Sequence, residues 1–214
     1  MTIMVEDETL RIDRLQLGSF GTNAYILACR KTGASVLVDA PGEAGEILEN
    51  LKGTNPKYIL LTHSHWDHTG ALTQLRSGLG IPLAAHAADA GKLSAAPEIR
   101  LDGGDTVTFG NIRLEVMHTP GHTPGSLCFK TGDYLISGDT IFPGGPGKTD
   151  TPAAFERIIE SITNQILILD DSTRIFPGHG DATVLKKERE AFAVFSSKKH
   201  PPGLHGDVTW LSSG

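Results

Sequence analysis

A strand pattern that leads directly into a cluster of metal-binding side chains constrains this sequence more than any other feature. The apolar run Tyr58–Thr62 is followed by His63, His65, Asp67 and His68. If the strand continues through the first two histidines, both imidazoles point to the same side, because side chains alternate along a strand. The chain must then turn, so that Asp67 and His68 begin the next helix. A polar surface loop gives no reason for this density of ligands, so the segment predicts a metal centre.

One segment does not enclose an ion, so we expect further ligands at the ends of other strands. Candidates that follow an apolar run and lie beside glycines are His122, Asp139 and His179. Neighbouring glycines let a loop approach a bound ion closely. The full set of candidate metal ligands is therefore His63, His65, Asp67, His68, His122, Asp139 and His179. A module that only holds metal would be expected to have lost some of them, so an enzyme is the favoured interpretation.

Composition and apolar spacing predict an α/β fold. Glycine and proline are frequent, with 25 and 12 residues, which indicates short elements and tight turns rather than a helical bundle. Strand-like runs lie at Leu10–Leu17, Ala24–Cys29, Val36–Ala40, Tyr58–Thr62, Ile112–Met117, Ser126–Phe129, Tyr134–Ser137 and Arg174–Phe176. Helical spacing is found at Glu43–Leu51, Thr69–Leu79, Ala153–Ile166 and Lys186–Phe195. We expect two strand-rich halves packed face to face, with the helices outside.

The domain organisation is predicted to be simple. The two halves resemble each other, and no linker or change of composition separates them, so we expect a single domain over residues 1–214. The polar, glycine- and proline-rich stretch 196–214 is predicted to be a surface tail, partly anchored by Trp210.

Charge and hydropathy favour a small molecule as the partner. A net charge of −6 disfavours a sequence-independent grip on nucleic acid, which needs clustered lysine and arginine. The start of the chain has acidic residues where a secretory signal has positive charge, and no apolar stretch is long enough to cross a membrane. We therefore expect a cytoplasmic protein that binds no nucleic acid and no membrane; the sequence leaves its oligomeric state open.

The spacing of the metal-binding motifs closely resembles one protein family. His-x-His-x-Asp-His at 63–68 is followed by Gly-His at 121–122, Gly-Asp at 138–139 and Pro-Gly-His-Gly at 177–180. This order resembles the metallo-β-lactamase superfamily, and within it the shorter hydroxyacylglutathione hydrolase-like (glyoxalase II-like) subgroup. The resemblance runs from Leu15 to Phe195. It implies a four-layer αββα sandwich, in which two mixed sheets lie face to face.

The resemblance also implies two metal sites. His63, His65 and His122 would bind the first ion, while the second ion would be bound by Asp67, His68 and His179. Asp139 would bridge the two ions, and Asp39 would support the metal-binding loop. Two divalent ions, with zinc the expected metal, are therefore implied. Iron and manganese are compatible with the same ligands.

The implied reaction is hydrolysis of an ester-like bond, most plausibly a thioester of the hydroxyacylglutathione type. A hydroxide shared by the two ions would attack the acyl carbon, and Asp67 and Asp139 would take part in catalysis as well as bind metal. Lys148 stands where many relatives carry arginine, and it is a candidate for binding an anionic part of the substrate. An ordinary exposed loop lysine is the alternative interpretation.

Several other activities are compatible with the same motifs. A persulfide dioxygenase would use one iron held by His63, His122 and Asp139, and a lactonase would use the dinuclear site. A secreted β-lactamase is disfavoured because no signal peptide is recognised. Full-length glyoxalase II enzymes add a helical glutathione-binding region, and the 35 residues after His179 are too few for it. The glutathione conjugate is therefore only one candidate substrate.

Overall fold

The first of two large sheets is built by the amino-terminal half of the chain. In the computed structural model, which describes residues 1–211, its strands are β1 (Thr2–Glu6), β2 (Leu10–Leu17), β3 (Thr22–Cys29), β4 (Ala34–Val38), β5 (Asn55–Leu60), β6 (Leu83–His86) and β7 (Ile99–Leu101). The strands lie side by side in chain order. Neighbours from β1 to β4 are antiparallel, and neighbours from β4 to β7 are parallel. The sheet is therefore mixed.

The second large sheet comes from the carboxy-terminal half. Its strands are β8 (Thr106–Phe109), β9 (Ile112–His118), β10 (Leu127–Thr131), β11 (Tyr134–Gly138), β14 (Arg174–Pro177) and β15 (Thr183–Val184), and the intervening β12 (Ile141–Phe142) and β13 (Gly145–Pro146) form a separate small hairpin. The order across the sheet is β15-β14-β11-β10-β9-β8. Only β11 and β14 pair in parallel, so this sheet is mixed as well.

Six helices of the described chain lie outside the sheets or at their edge. They are α1 (Ala44–Leu51), α2 (Trp66–Thr69), α3 (Leu72–Leu79), α4 (Ala87–Ala90), α5 (Pro152–Ser161), which continues into a π-helical turn (Ile162–Ile166), and α6 (Leu185–Ser196). Proline at the first position and the Thr151 hydroxyl, which accepts a hydrogen bond from the Ala154 amide, begin α5. Apolar side chains of α1 and α3 pack on the first sheet, and those of α5 and α6 pack on the second.

Alternation along the strands divides the core into three apolar layers. On β3, Tyr25 and Leu27 point into the layer between the sheets, whereas Ala24 and Ile26 point to the layer under α1 and α3. The layer between the sheets is closed from the other side by second-sheet residues such as Phe129. These layers give the order helix, sheet, sheet, helix, and the predicted four-layer αββα sandwich is confirmed.

The path of the chain around the metal-binding motif differs from the prediction in two places. Strand β5 ends at Leu60 and does not continue through His63 and His65, because the Thr62 amide donates to the Asp39 carboxylate instead of to a neighbouring strand. The predicted helix Thr69–Leu79 is two helices. Their separation follows from tertiary hydrogen bonds to the chain after β4, in which the Ala40 amide donates to the carbonyl of His68 and the Ala71 amide to the carbonyl of Ala40.

The carboxy-terminal stretch packs more closely than a surface tail does. Val208 and Trp210 are buried in the core layer of α5 and α6, and the Trp210 ring lies 5.2 Å from Phe192 and 5.3 Å from Phe195 between centroids. The stretch is described as far as Leu211, and residues 212–214 of the predicted tail lie outside the described residues. The single domain over 1–214 stays a prediction. Within the described chain, no helix is both long and apolar enough to cross a membrane.

Gly70 offers a test of how closely the chain between α2 and α3 packs against the chain after β4. A β-carbon at Gly70 would lie 2.4 Å from the carbonyl oxygen of Pro41, whereas one at Gly45, in α1, would meet no atom within 4 Å. We expect Gly70→Ala to lower the free energy of unfolding by about 1–3 kcal/mol through overpacking. Gly45→Ala is expected to raise it by about 0.4–1 kcal/mol through reduced chain entropy. Urea denaturation measures both, and a stabilised Gly70→Ala would contradict the close contact.

Candidate metal centre

The seven predicted ligands are brought together at one edge of the sandwich, where several strands end. His63 and His65 lie in the loop after β5, and α2 carries Asp67 and His68. Asp139 follows β11 directly. The other two ligands lie in the loop between β9 and β10 and in the loop after β14. Atoms that could bind metal lie within 4.8 Å of one another in three groups: His63, His65 and His122; Asp67, His68 and His179; and His63, His68 and Asp139.

The first two groups match the two sites that the resemblance implies. In the first, His65 Nδ1 lies 2.9 Å from His122 Nε2, and the ring of His63 lies 4.7 Å from that of His65 between centroids. In the second, His179 Nε2 lies 3.2 Å from an oxygen of Asp67 and 3.3 Å from His68 Nε2. We name these the first and second metal groups. Their role as ligands stays a prediction.

Asp139 lies between the two groups. One of its carboxylate oxygens is 3.3 Å from His68 Nε2, and the other is 3.5 Å from both His122 Nε2 and His179 Nε2. The Asp139 side chain is 10% exposed. A nearly buried carboxylate in contact with imidazoles of both groups is placed as a bridging ligand would be.

A buried carboxylate sets the protonation of two of the imidazoles. Asp39 accepts hydrogen bonds from His68 Nδ1 at 2.8 Å and from the Thr62 hydroxyl at 2.8 Å. Since that hydroxyl donates to Asp39, it accepts from Nδ1 of His63, 3.0 Å away. Both imidazoles therefore carry their proton on Nδ1 and turn Nε2 toward the centre. Such outer hydrogen bonds orient metal-binding histidines and raise their basicity.

A backbone carbonyl performs the same task in the first metal group. The carbonyl oxygen of Lys148 lies 2.8 Å from His122 Nδ1. A carbonyl can only accept, so Nδ1 carries the proton and Nε2 presents a lone pair. The carbonyl belongs to the Gly- and Pro-rich loop that also carries the Lys148 side chain.

The electrostatics of the centre suit a bound cation. Burial, together with the neighbouring His68, holds the pKa of His63 well below its usual range, so that this imidazole is neutral. Burial also lowers the pKa of His68, but Asp39 and Asp139 outweigh it and raise the pKa to about 10. Although burial opposes it, hydrogen bonds from His179 and His68 keep the pKa of Asp139 well below its usual range. The carboxylates thus favour a second proton on His68, at Nε2. An ion that binds at Nε2 must displace this proton, so metal binding would release protons.

The donor set also fits a divalent ion. His63 Nε2 is buried and has no hydrogen-bond partner, although buried polar atoms are rarely left unpaired. A metal ion at the first group would satisfy it. Neutral imidazoles and carboxylates with room for water suit zinc, iron and manganese alike.

One glycine is required by the closeness of this packing. A β-carbon at Gly178 would lie 2.1 Å from a carboxylate oxygen of Asp139 and 2.7 Å from Cε1 of His68. No other residue type fits at this position unless the ligands move. The glycines beside the candidate ligands gave the signal for this close approach in the sequence.

Sequence reasoning missed a second buried carboxylate. Asp89, in α4, accepts hydrogen bonds from the Ser64 amide at 2.9 Å, from the Thr123 hydroxyl at 2.8 Å and from the Gly125 amide at 2.9 Å. It therefore ties the loop of His63 and His65 to the loop of His122. An acid within the alanine-rich run 87–90 was the available signal.

The loop that carries His179 is also held by residues that the sequence did not single out. Asn23 Nδ2 donates to the carbonyls of Pro177 at 2.9 Å and Gly180 at 3.0 Å. The Tyr25 hydroxyl donates to the Pro177 carbonyl at 2.7 Å. These bonds join the first sheet to the loop after β14 and position one ligand of the second metal group.

A further histidine cluster lies outside the centre. His86, Asp102 and His118 also bring potential ligand atoms within 4.8 Å of one another. The two rings are stacked, with centroids 3.9 Å apart and planes 15° apart. Lone pairs lie in the ring planes, so two parallel rings do not converge on one ion. His86 Nδ1 also accepts from the Ala88 amide, which places the proton on the nitrogen that faces Asp102.

Two cavities open beside the centre. One of about 430 Å³ is lined by His65 and His122 together with Lys92 and Arg157. The other, of about 320 Å³, is lined by Asp139, His179 and the exposed Lys148. His122 contributes to both cavities, so a substrate at the centre can extend in two directions.

Comparison with known proteins points to one family. A sequence model of the metallo-beta-lactamase superfamily matches residues 17–179. The chain is 35% identical to the probable metallo-hydrolase YqgX of Bacillus subtilis, over 83% of this chain and 93% of that protein. It is 28% identical to the hydroxyacylglutathione hydrolase GloC of Haemophilus influenzae, over 88% of this chain and 100% of that protein.

Solved structures agree with this likeness. ETHE1 from Myxococcus xanthus superimposes with a TM-score of 0.75 and 25% identity, over 83% of this chain and 81% of that chain. TTHA1623, solved in a di-iron-bound form, superimposes with a TM-score of 0.69 and 32% identity, over 82% of this chain and 96% of that chain.

Removal of the Asp39 carboxylate tests its control of the imidazoles. We expect Asp39→Ala to weaken metal binding by about 10–100-fold, because His68 loses the acceptor that fixes its tautomer. Competition of the protein with a chromophoric chelator for Zn²⁺ measures the affinity. Asp102→Ala, which removes a carboxylate that is 77% exposed, is the control and should leave the affinity unchanged. Equal affinities in the wild type and Asp39→Ala would contradict this role.

Proposed function

The chain belongs to the metallo-beta-lactamase superfamily, and from this premise we propose that it is a metal-dependent hydrolase that cleaves thioesters. The observation that carries the proposal is the placement of Asp139 between two groups of three potential ligands, beside two cavities. A centre that only held the fold together would not need open space at its ligands. The likeness to the probable metallo-hydrolase of Bacillus subtilis supports an enzymatic role.

Two divalent ions, with zinc the expected metal, would be held by this chain. His63, His65 and His122 would bind one ion, Asp67, His68 and His179 the other, and Asp139 both. Bound ions in such a site supply an activated water molecule and polarise the carbonyl group that is attacked. Iron stays an alternative, and the di-iron-bound form of TTHA1623 supports it.

Side chains of the centre prepare the reaction in ways that follow from their contacts. The Thr22 hydroxyl donates to one oxygen of Asp67 at 3.1 Å and fixes the carboxylate in place. Asp67 would orient the attacking water as well as bind metal. The imidazoles are held with Nε2 toward the centre by Asp39 and by the Lys148 carbonyl, so they need no rearrangement when substrate binds.

The substrate class is inferred from relatives and from a lysine among the residues that line the cavity. GloC of Haemophilus influenzae is a hydroxyacylglutathione hydrolase, which supports a thioester of that type. The exposed residue Lys148 lines the same cavity as Asp139 and His179. There it would attract an anionic part of the substrate as a point charge. The cavity that Lys92 and Arg157 line leaves room for the part of a thioester on the other side of the scissile bond.

A persulfide dioxygenase is the second candidate, and the likeness to ETHE1 from Myxococcus xanthus favours it. Such an enzyme would hold one iron with His63, His122 and Asp139. The second metal group, in which His179 lies 3.2 Å from Asp67, would then have no role in catalysis. Hydrolysis uses both groups and is therefore the better-supported function.

Metal content and a substrate panel separate the two functions. We expect about two zinc-like ions per chain and hydrolysis of an acyl-glutathione thioester. Elemental analysis of the purified protein gives the stoichiometry, and thiol release from the thioester, ring opening of a lactone and oxygen uptake with a persulfide give the activity. One iron per chain together with oxygen uptake would replace hydrolysis by oxidation.

Loss of the bridging carboxylate tests the dinuclear centre. We expect Asp139→Ala to lower kcat/KM by about 100-fold or more and to reduce the metal content, because both ions lose a ligand. Asp133→Ala, a substitution of an exposed aspartate in the turn before β11, is the matched control and should keep both properties. Full activity and full metal content in Asp139→Ala would disprove the dinuclear centre.

A further inference from the structure

The last described residues of the chain form a wall of the metal centre. We name residues 204–210 the strap and residues 142–150 the site loop. Asp207 and Val208 of the strap line the same cavity as His122, Asp139 and His179. The strap thus reaches the centre, although it follows the last ligand by 25 positions or more.

Backbone hydrogen bonds fasten the strap to the site loop at two points. The Thr149 amide donates to the Gly206 carbonyl at 3.3 Å, and the Gly206 amide donates back to the Thr149 carbonyl at 3.0 Å. At the other end, the Trp210 amide donates to the Gly144 carbonyl at 2.7 Å. Both ends of the site loop are therefore held by the strap.

The strap is itself anchored by side chains. Trp210 is fully buried against two phenylalanines of α6, and Val208 is buried beside it. The buried Glu188 carboxylate, which also belongs to α6, accepts a hydrogen bond from the Gly144 amide at 2.7 Å. The site loop is therefore held by both α6 and the strap.

One hydrogen bond connects the site loop to the metal centre. Thr149, which is paired with Gly206, follows Lys148, whose carbonyl accepts the proton of His122 Nδ1 at 2.8 Å. A shift of the strap would move this carbonyl. His122 would then lose the acceptor that keeps Nε2 free for metal.

We propose that the strap is a positioning element of the first metal group, acting through the site loop and the Lys148 carbonyl to fix His122 as a metal ligand. Trp210 is the residue on which the position of the strap depends. The inference rests on the proposed metal centre. It concerns metal affinity rather than turnover, so it stands or falls independently of the thioester activity.

Zn²⁺ titration of the full chain against a chromophoric chelator tests the proposal. The titration gives one Zn²⁺ affinity for each metal group. The affinity that His122→Ala weakens is the affinity of the first metal group, since His122 belongs to that group. We expect Trp210→Ala to weaken the first-group affinity about tenfold or more and to leave the second-group affinity unchanged. Trp210→Phe, which keeps an aromatic ring in the same place, is expected to restore the affinity.

A matched control separates positioning from loss of stability. Ile166→Ala removes a fully buried side chain from the same core layer, outside the strap and the site loop. It should lower Tm as Trp210→Ala does while keeping both Zn²⁺ affinities. Equal weakening of both groups in Trp210→Ala and Ile166→Ala would overturn the proposal, because general loosening would explain it.

A second variant tests the proposal without a cavity in the core. A β-carbon at Gly145 would lie 2.5 Å from the Val208 carbonyl oxygen, so Gly145→Ala pushes the strap away from the site loop. We expect the same selective loss of first-group affinity, with Gly45→Ala as the unaffected glycine control. Unchanged first-group affinity in Gly145→Ala with a lowered Tm would overturn the proposal. A wild-type chain that binds no Zn²⁺ would instead disprove the metal centre itself.

Discussion

The organisation of the centre depends on the carboxylate of Asp39. This residue follows the strand β4 directly and has a φ of 61°, a left-handed conformation that is uncommon for residues other than glycine. The conformation aims a buried carboxylate at the Thr62 amide, the Thr62 hydroxyl and His68 Nδ1, all at 2.8 Å. One group thereby ends the ladder of β5, starts the metal-binding loop and fixes two imidazole tautomers. Backbone strain is retained where several bonds over-determine it.

Asp89 repeats this arrangement on the other side of the centre. Both carboxylates are buried, both accept from a backbone amide of the segment 62–64, and both bind a hydroxyl group. A buried carboxylate is stable only when its oxygens accept several hydrogen bonds. The need for those bonds is what joins loops that are distant in the sequence. The same physical requirement that makes the acids costly to bury thus makes them effective in holding the ligands.

The sequence predicted what is local or periodic and missed what depends on contacts between distant segments. Strand alternation predicted eight strands of the two large sheets but not β1, β6, β7, β8 or β15, and the dense run at 63–68 predicted the centre. The break between α2 and α3 was missed because it comes from hydrogen bonds with Ala40, about 30 positions earlier in the chain. Asp89 was missed because its partners lie 25 and 34 positions away. Trp210 was expected only as a partial anchor, since its neighbours are brought to it by folding.

The metal centre and the walls of the two cavities are built from partly different segments of the chain. The candidate ligands lie at strand ends and several are held by buried carboxylates, whereas the cavity walls also include the site loop, the strap and the start of α5. Loops on a rigid scaffold accept changes of sequence that strand ends do not. A change in these walls can therefore alter the substrate that fits while the centre keeps its geometry. In this chain the strap connects the cavity wall to the metal centre. It holds the site loop, and the Lys148 carbonyl of that loop orients His122, a candidate metal ligand.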